Sequence, residues 1–345
     1  MPEIINIDAN QAQLGTIRDA ANEGSNNMGG NASHIIQALL SNNMDHVSLR
    51  NYSTLRENEW RRLDEAIVAT AAPRMRIVDA LINMGLYYNL QNAMGTTIFE
   101  YETISSPVDA TISMDGEARG RNQRPDYDTG SLPIPIVHAE FQLGARVLEA
   151  SRTRGQALDT TGAEFAARAV AQTVEKLTIN GTGGLTFGGG TVYGLTNHPG
   201  ITSISLNTQW DASGNTGELI TDDIKTMIGA LQDNHQYGPY LMIIPSRYGI
   251  HLDSDYKAGS DRTILERIKA MDSIARIEVS DYLANDTVLL INPTTTNVRM
   301  IVGMQPTPLE WSSGSGLTMF YKVMAILVPQ VRNDYADQSG IVKLS

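Results

Sequence analysis

The sequence predicts an α+β fold built from two lobes with polar arms attached. Three observations carry this. A proline-marked apolar strand at Leu132–Leu143 runs directly into a long helix, 159–180, with marked ends. From Asp222 onward, helical and strand patterns mix without the regular βαβ repeat of a parallel sheet. Two stretches, 1–50 and 96–131, are too polar to contribute a core.

The totals bound the function. With 345 residues, 41% hydrophobic and 19% charged, the chain is long enough for a sizeable core and for two domains. It has no cysteine, which excludes disulfides, thiolate catalysis and Cys-ligated metals. The net charge is −12, and no lysine precedes Lys176, so a tight grip on nucleic acid is not expected. The opening MPEIINIDANQ lacks both a basic and an apolar targeting region, so no signal peptide is expected. No apolar run approaches the length of a membrane span. The expectation is a soluble protein made in the cytoplasm.

Residues 1–50 are rich in Asn, Gly and Ser, most of all at Gly24–Ser33. Such a segment is either a loose tail or an arm held by a neighbouring subunit. Thr54–Glu57 matches a capping box. The helix it opens carries Trp60, Leu63, Ile67 and Ala71 on one face. Pro73 interrupts it, and Arg74–Met84 resumes with Ile77, Leu81 and Met84 in register. Arginines from Arg50 to Arg76 are interleaved with Glu57, Glu59, Asp64 and Glu65. They form either a solvated, ion-paired helix surface or a basic face for intersubunit salt bridges.

Thr96–Ser105 and Val108–Met114 alternate like two strands around Pro107, and a long charged stretch follows. The pattern predicts a β-hairpin arm. An isolated two-stranded ribbon is marginal in water, so this arm needs a partner surface. In Leu132–Leu143, Pro133 and Pro135 put the start at an edge or a bend. The long helix has a second capping box at Thr161–Glu164, with Asp159 close by, and stops at Asn180-Gly181. Phe165, Ala169, Thr173 and Leu177 fall on one stripe, and alanine fills much of the rest.

From Gly181 to Gly217 the chain is rich in Gly, Thr and Asn. Gly183, Gly184, Gly188, Gly189 and Gly190 do not make a phosphate loop, because no Gly-Lys-Ser/Thr follows and no helix opens there. A flexible loop or hairpin is predicted. The second lobe then reads as a helix at Asp222–Asp233, a buried strand at Tyr240–Pro245, and short helices at Ser246–Asp253 and Asp261–Met271. Strands follow at Ile274–Val279, Thr287–Ile291, Val298–Val302, Leu317–Val331 and Gly340–Leu344.

No chemistry stands out, and no catalytic, cofactor-binding or metal residue is assigned. The histidines, His34, His46, His138, His198, His235 and His251, form no zincin-type pair on a helix. His251 with Asp253 and Asp255 is the best metal-like cluster, since His251 and Asp255 would share a helical face, but it reads as a solvated helix end. His198 lies in a Gly-rich loop without a nucleophile elbow. Trp60, Trp210 and Trp311 are scattered and read as structural. The sequence is that of a building block more than of an enzyme.

The order of parts resembles the major capsid proteins of tailed bacteriophages that share the HK97 fold, and their cellular relatives, the encapsulin shell proteins. Trp60-Arg61-Arg62-Leu63-Asp64 and Arg76-Ile77-Val78-Asp79 are similar to the opening helix of encapsulins. Tyr193-Gly194-Leu195 resembles the entry to the axial domain. Gly238-Pro239-Tyr240 and Leu265-Glu266-Arg267-Ile268 resemble segments within it. The resemblance implies an N-terminal arm at 1–52, a helical segment of the peripheral domain at 53–95, an E-loop at 96–131, and the peripheral strand and spine helix at 132–181. It further implies an axial domain at 182–315 and a C-terminal strand returning to the peripheral domain at 316–345. It implies hexamers and pentamers on an icosahedral shell around double-stranded DNA that is contacted weakly. Scaffolding, portal and possibly decoration proteins would be partners, no membrane would be involved, and the virion, assembled in host cytoplasm, would be the location. Some relatives lock the shell by an isopeptide bond from an E-loop lysine. Here no lysine lies in that segment, so a non-covalent shell is expected. Encapsulins usually have a shorter E-loop and no long N-terminal arm, which places the viral role ahead of a bacterial nanocompartment.

Overall fold

The computed structural model describes residues 55–345 apart from 105–109, 111, 113, 115–126, 155–157, 184–185, 258, 260, 313–317 and 335–336. The N-terminal arm, Thr54 of the first capping box and most of the Val108–Met114 strand lie outside the described residues.

Helix α1 spans Glu57–Ala71. Its first turn is closed by Glu59, whose Oε2 accepts from the Arg56 N–H at 2.8 Å, a carboxylate satisfying an open amide. Leu63, Ile67 and Ala71 are buried as their spacing predicts. Pro73 sits in a single 3-10 turn, Ala72–Arg74, after which α2 runs over Arg76–Asn83. Strands β1 (Tyr87–Asn89), β2 (Ile98–Ile104), β3 (Tyr127–Pro133) and β4 (Val137–Gly144) follow. Helix α3 (Ala145–Arg154) precedes the long helix α4 (Thr161–Asn180). The Gly-rich stretch holds β5 (Thr186–Phe187), β6 (Gly190–Thr191) and β7 (Thr202–Ile204). The chain continues with α5 (Gly217–Asp233), β8 (Tyr240–Pro245), α6 (Ser246–His251), α7 (Ile264–Lys269), β9 (Ile274–Ser280) and β10 (Val288–Ile291). It closes with β11 (Val298–Ser312), β12 (Thr318–Val331) and β13 (Ile341–Leu344).

Two larger sheets result. One has the order β1-β11-β12-β4 and the other β7-β13-β10-β8-β9, beside two hairpins, β2-β3 and β5-β6. The five-stranded sheet holds the main core. β8 and β10 are buried at every position, so they read as continuous apolar runs, while Ile220, Ile224, Met227 and Leu231 of α5 cover them from one side. Trp210 closes this core, stacked on Tyr248 at 5.2 Å with its Nε1–H donated to Asp223 at 3.0 Å.

The described chain divides into two compact units. One comprises residues 55–65, Glu140–Ala163 and Pro308–Lys322. Within it Tyr321 stacks on Phe141 at 5.1 Å and meets the edge of Trp60 at 6.0 Å. Arg152, nearly buried, bonds Glu59 at 2.8 Å and Glu149 at 3.1 Å. The Arg152 bond holds the Glu59 carboxyl below its usual range. The other unit comprises Ala66–Ala139, Glu164–Thr307 and Val323–Ser345 and contains the five-stranded sheet.

Three sequence expectations are corrected. The partner of β2 is β3, not Val108–Met114, with Ile98 opposite Pro133 and Ile104 opposite Tyr127. Leu132 and Pro133 therefore close the hairpin, and the next strand begins only at Val137, beyond Pro135. Helix α4 buries Ala163, Ala166, Ala167, Val170, Ala171, Val174 and Thr178, while Phe165 of the expected stripe is 64% exposed. Small side chains let neighbouring backbone approach, and that outweighs the size of one aromatic ring. At the start of α4 the Asp159 Oδ1 accepts from the Thr161 N–H at 3.0 Å. β13 lies in the five-stranded sheet between β7 and β10, and β11 pairs with β1 and β12 in the four-stranded sheet.

Candidate functional site: the hairpin arm and its root

The β2/β3 hairpin is a seven-pair antiparallel ladder. Exposure grades along it. Tyr127, Asp128 and Thr129 are exposed, Gly130 and Ser131 half-buried, and Leu132 and Pro133 buried. Only the root sits on apolar surface, where Phe99, Tyr101 and Leu132 pack with Leu177, Val192, Ile301, Ile326 and Val328. Among the described residues the outer rungs gain little apolar burial, the situation in which a two-stranded ribbon is marginal.

Two arginines grip the root. Arg299 lies 5.1 Å from the Tyr88 ring and 5.8 Å from that of Phe99. Arg332 lies 5.8 Å from the Tyr101 ring and donates to the Glu102 carbonyl at 3.1 Å. Arg299 Nε donates to Gln330 Oε1 at 2.6 Å. Burial, with the Arg332 charge adding to it, pushes the Arg299 guanidinium down from its ordinary value. The glycine cluster noted in the sequence forms the other wall. Gly188 and Gly189, at φ of 57° and 80°, make the β5/β6 turn that glycine tolerates without cost to a side chain. A Cβ on Gly190 would run into the Ser131 carbonyl of β3. Glycine is there to let two backbones meet, not to cradle phosphate.

Beside the root lies a polar cleft of about 260 Å³, lined among others by Tyr101, Ser131, Tyr193, His198 and Gln330. His198 Nδ1 accepts from the Gly200 N–H at 3.2 Å, and Tyr193 meets the ring edge-on at 5.3 Å. Burial pushes His198 down to about 4, so it is neutral near pH 7. Among the described residues no carboxylate lines the cleft.

A second buried ionisable group ties helices together. Glu175 of α4 is 3% exposed, and its carboxylate accepts from the Ile77 N–H at 2.8 Å and the Val78 N–H at 3.4 Å, at the start of α2. Burial pushes its carboxyl up to about 7, against the pull of those two amides.

The metal-like cluster does not assemble as a helical pair. α6 ends at His251, and Asp255 forms an isolated bridge with Thr263. Of the residues that define the root, sequence reading singled out His198 and the glycines but not Gln330, Arg299, Arg332 or Glu175. Their signal was a polar residue inside an otherwise apolar run, such as Gln330 in AILVPQV or Glu175 within the Ala-rich helix. Among the described residues no helix is long and apolar enough to cross a membrane.

A family model described as a family of unknown function, DUF6260, matches residues 50–343. A type 1 encapsulin shell protein, EncA of Myxococcus xanthus, is 24% identical over 255 residues, 72% of this chain and 81% of that protein. Among solved structures, the virus-like particle from Pyrococcus furiosus superposes with a TM-score of 0.57 at 17% identity, covering 83% of this chain and 99% of its own. The capsid of the Myoviridae phage XM1 superposes with a TM-score of 0.56 at 13% identity, covering 76% and 90%. The chain has the HK97-like fold of phage capsids and encapsulin shells.

Proposed function

We propose that this chain, which belongs to the DUF6260 family of unknown function, is the major capsid protein of a tailed bacteriophage. It self-assembles as hexamers and pentamers into an icosahedral shell enclosing double-stranded DNA, held by non-covalent contacts between subunits. One observation carries the reading: on an HK97-like body, the outer rungs of the β2/β3 hairpin pack on little apolar surface among the described residues. A neighbouring subunit supplies that surface, and 96–131 acts as an E-loop arm. The net charge of −12 suits a wall that contains DNA without gripping it, and no lysine is available in the arm for an isopeptide lock. The role is structural and not enzymatic. Scaffolding, portal and decoration proteins are the expected partners, and the virion the location.

The second reading is the shell of a bacterial nanocompartment, favoured by the 24% identity to an encapsulin shell protein. Electron microscopy of the expressed chain, with nuclease digestion of the particles, tests both. Closed shells able to protect double-stranded DNA support the capsid. Shells that hold a dedicated protein cargo and no DNA support the nanocompartment, and monomers under every salt and pH condition overturn both.

A further inference from the structure

Helix α2 is capped from elsewhere in the chain. Its own N-cap is Met75, whose side chain makes no bond to the open amides of the first turn. Glu175 of α4 takes that place, with Oε1 accepting from the Ile77 N–H at 2.8 Å and Oε2 from the Val78 N–H at 3.4 Å. The cap is built in an apolar setting. Glu175 is 3% exposed, and Ile77, Val78, Ala80 and Leu81 of α2 are buried with it. Two neutral amides are a weak counterweight for a full charge taken out of water, so this burial favours the protonated carboxyl. The two distances suit that form. Oε1 keeps the short bond while Oε2, on the long one, carries the proton.

The charges that face the carboxyl do not reverse this. From α2, Asp79 raises the cost of a second negative charge, and Arg76 lowers it. The Arg76 side chain is 57% exposed, which screens its pull, and it also lies 3.8 Å from Glu278 of β9. Arg276 holds that same Glu278 at 2.5 Å. The loop after β9 brings Tyr282 and Asp281, with Arg168 of α4 and Arg74 of the turn before α2 beside them. Burial remains the largest influence and leaves Glu175 titrating near 7.

The helices also have supports that do not pass through Glu175. α2 packs against β9, and Asn180 at the end of α4 donates to the Tyr282 carbonyl at 3.0 Å. Releasing the cap therefore loosens the start of α2 while the five-stranded sheet stays paired. We propose that Glu175 is a pH-operated latch, whose protonated carboxyl holds the start of α2 on α4 and whose ionisation in alkaline solution lets that turn open to water. The proton passes to solvent, and the freed carboxylate is hydrated in the open form. The latch is built within one chain and does not rest on the shell reading.

Amide hydrogen exchange of the full chain tests this, read by mass spectrometry at about pH 5 and about pH 8 and corrected for the base-catalysed chemical rate. Exchange at the start of α2 should rise on the order of fiftyfold between the two, the linkage factor for a carboxyl that titrates near 7 when closed and near 4.5 when open. It should also be faster there than in β8 and β10, because the opening is local. Glu175→Gln keeps an acceptor for Ile77 and has no proton to lose, so its rise should stay under about threefold. Glu175→Leu removes the acceptor as well, and should exchange faster than Glu175→Gln at both pH values with no rise between them. No rise in the parent overturns the proposal, as does an equal rise in either variant. Exchange in α2 no faster than in β8 and β10 overturns it too, since Glu175 would then act only on the stability of the whole body.

Discussion

The strands β8 and β10 and the hairpin β2/β3 are paired with equal regularity, yet they differ in what surrounds them. Every residue of Tyr240–Pro245 and of Val288–Ile291 is buried on both faces, among side chains of the same compact unit. In the hairpin the same backbone hydrogen bonding carries β3 residues that grade from exposed at Tyr127 to buried at Leu132. Hydrogen bonds alone contribute little net stability, and burial decides which ladder stands by itself. Stability is therefore concentrated in the five-stranded sheet, and the hairpin is left available for contacts outside its own chain.

The largest effect that could break this contrast is on assembly. Excising residues 103–128 and closing the ladder with Asn-Gly keeps the Phe99 and Tyr101 root. The variant should fold with a melting temperature near the parent's but yield no closed shells by electron microscopy. Normal shells from this variant would show that the arm makes no assembly contact. Next in size, Leu290→Ala in β10 removes a fully buried side chain from the sheet core. It should cost about 2–5 kcal/mol in denaturant unfolding, whereas Tyr127→Ser on the outer hairpin should stay within about 0.5 kcal/mol. Equal losses from the two would erase the difference between the regions.

The third effect depends on pH. Glu175 titrates near 7 in the fold and near its ordinary value of 4.5 when unfolded. Between those values the native state holds more protons than the unfolded chain, so stability from this group falls as pH rises from about 4.5 to 7. The full difference is roughly 3 kcal/mol, from 1.36 kcal/mol per pH unit. His198 works in the other direction. Its folded value near 4 lies below its ordinary 6.5, so its contribution is lost as pH falls through that window. Melting curves should show Glu175→Gln losing stability to acid more steeply than the parent, since the opposing slope of this carboxyl is gone. An unchanged pH profile would mean that the Glu175 carboxyl is not held in its buried position. The smallest effect is at the arginine grip, where Arg332→Met removes a stacked cation and one hydrogen bond to Glu102. It should cost about 1 kcal/mol, read most directly as faster amide exchange in β2 and β3.

Much of the fold could be read from residue order alone. The ends of α4 are written in Asp159 and Asn180-Gly181, the break at Pro73 in the proline itself, and the buried strands β8 and β10 in their unbroken apolar runs. These are short-range matters, set by side-chain period, backbone freedom and the four open amides at a helix start. Pairing and facing are different. The β2 strand alternates well with Val108–Met114 in sequence but bonds to Tyr127–Pro133, and nothing local distinguishes the two partners. The buried face of α4 is the alanine face because close approach is possible there, which depends on what packs against it. Glu175 meets Ile77 across 98 positions, and Gln330, Arg299 and Tyr101 come together from three separate strands. A buried polar group announces itself in sequence only as an interruption, because its partners are chosen by the packed chain.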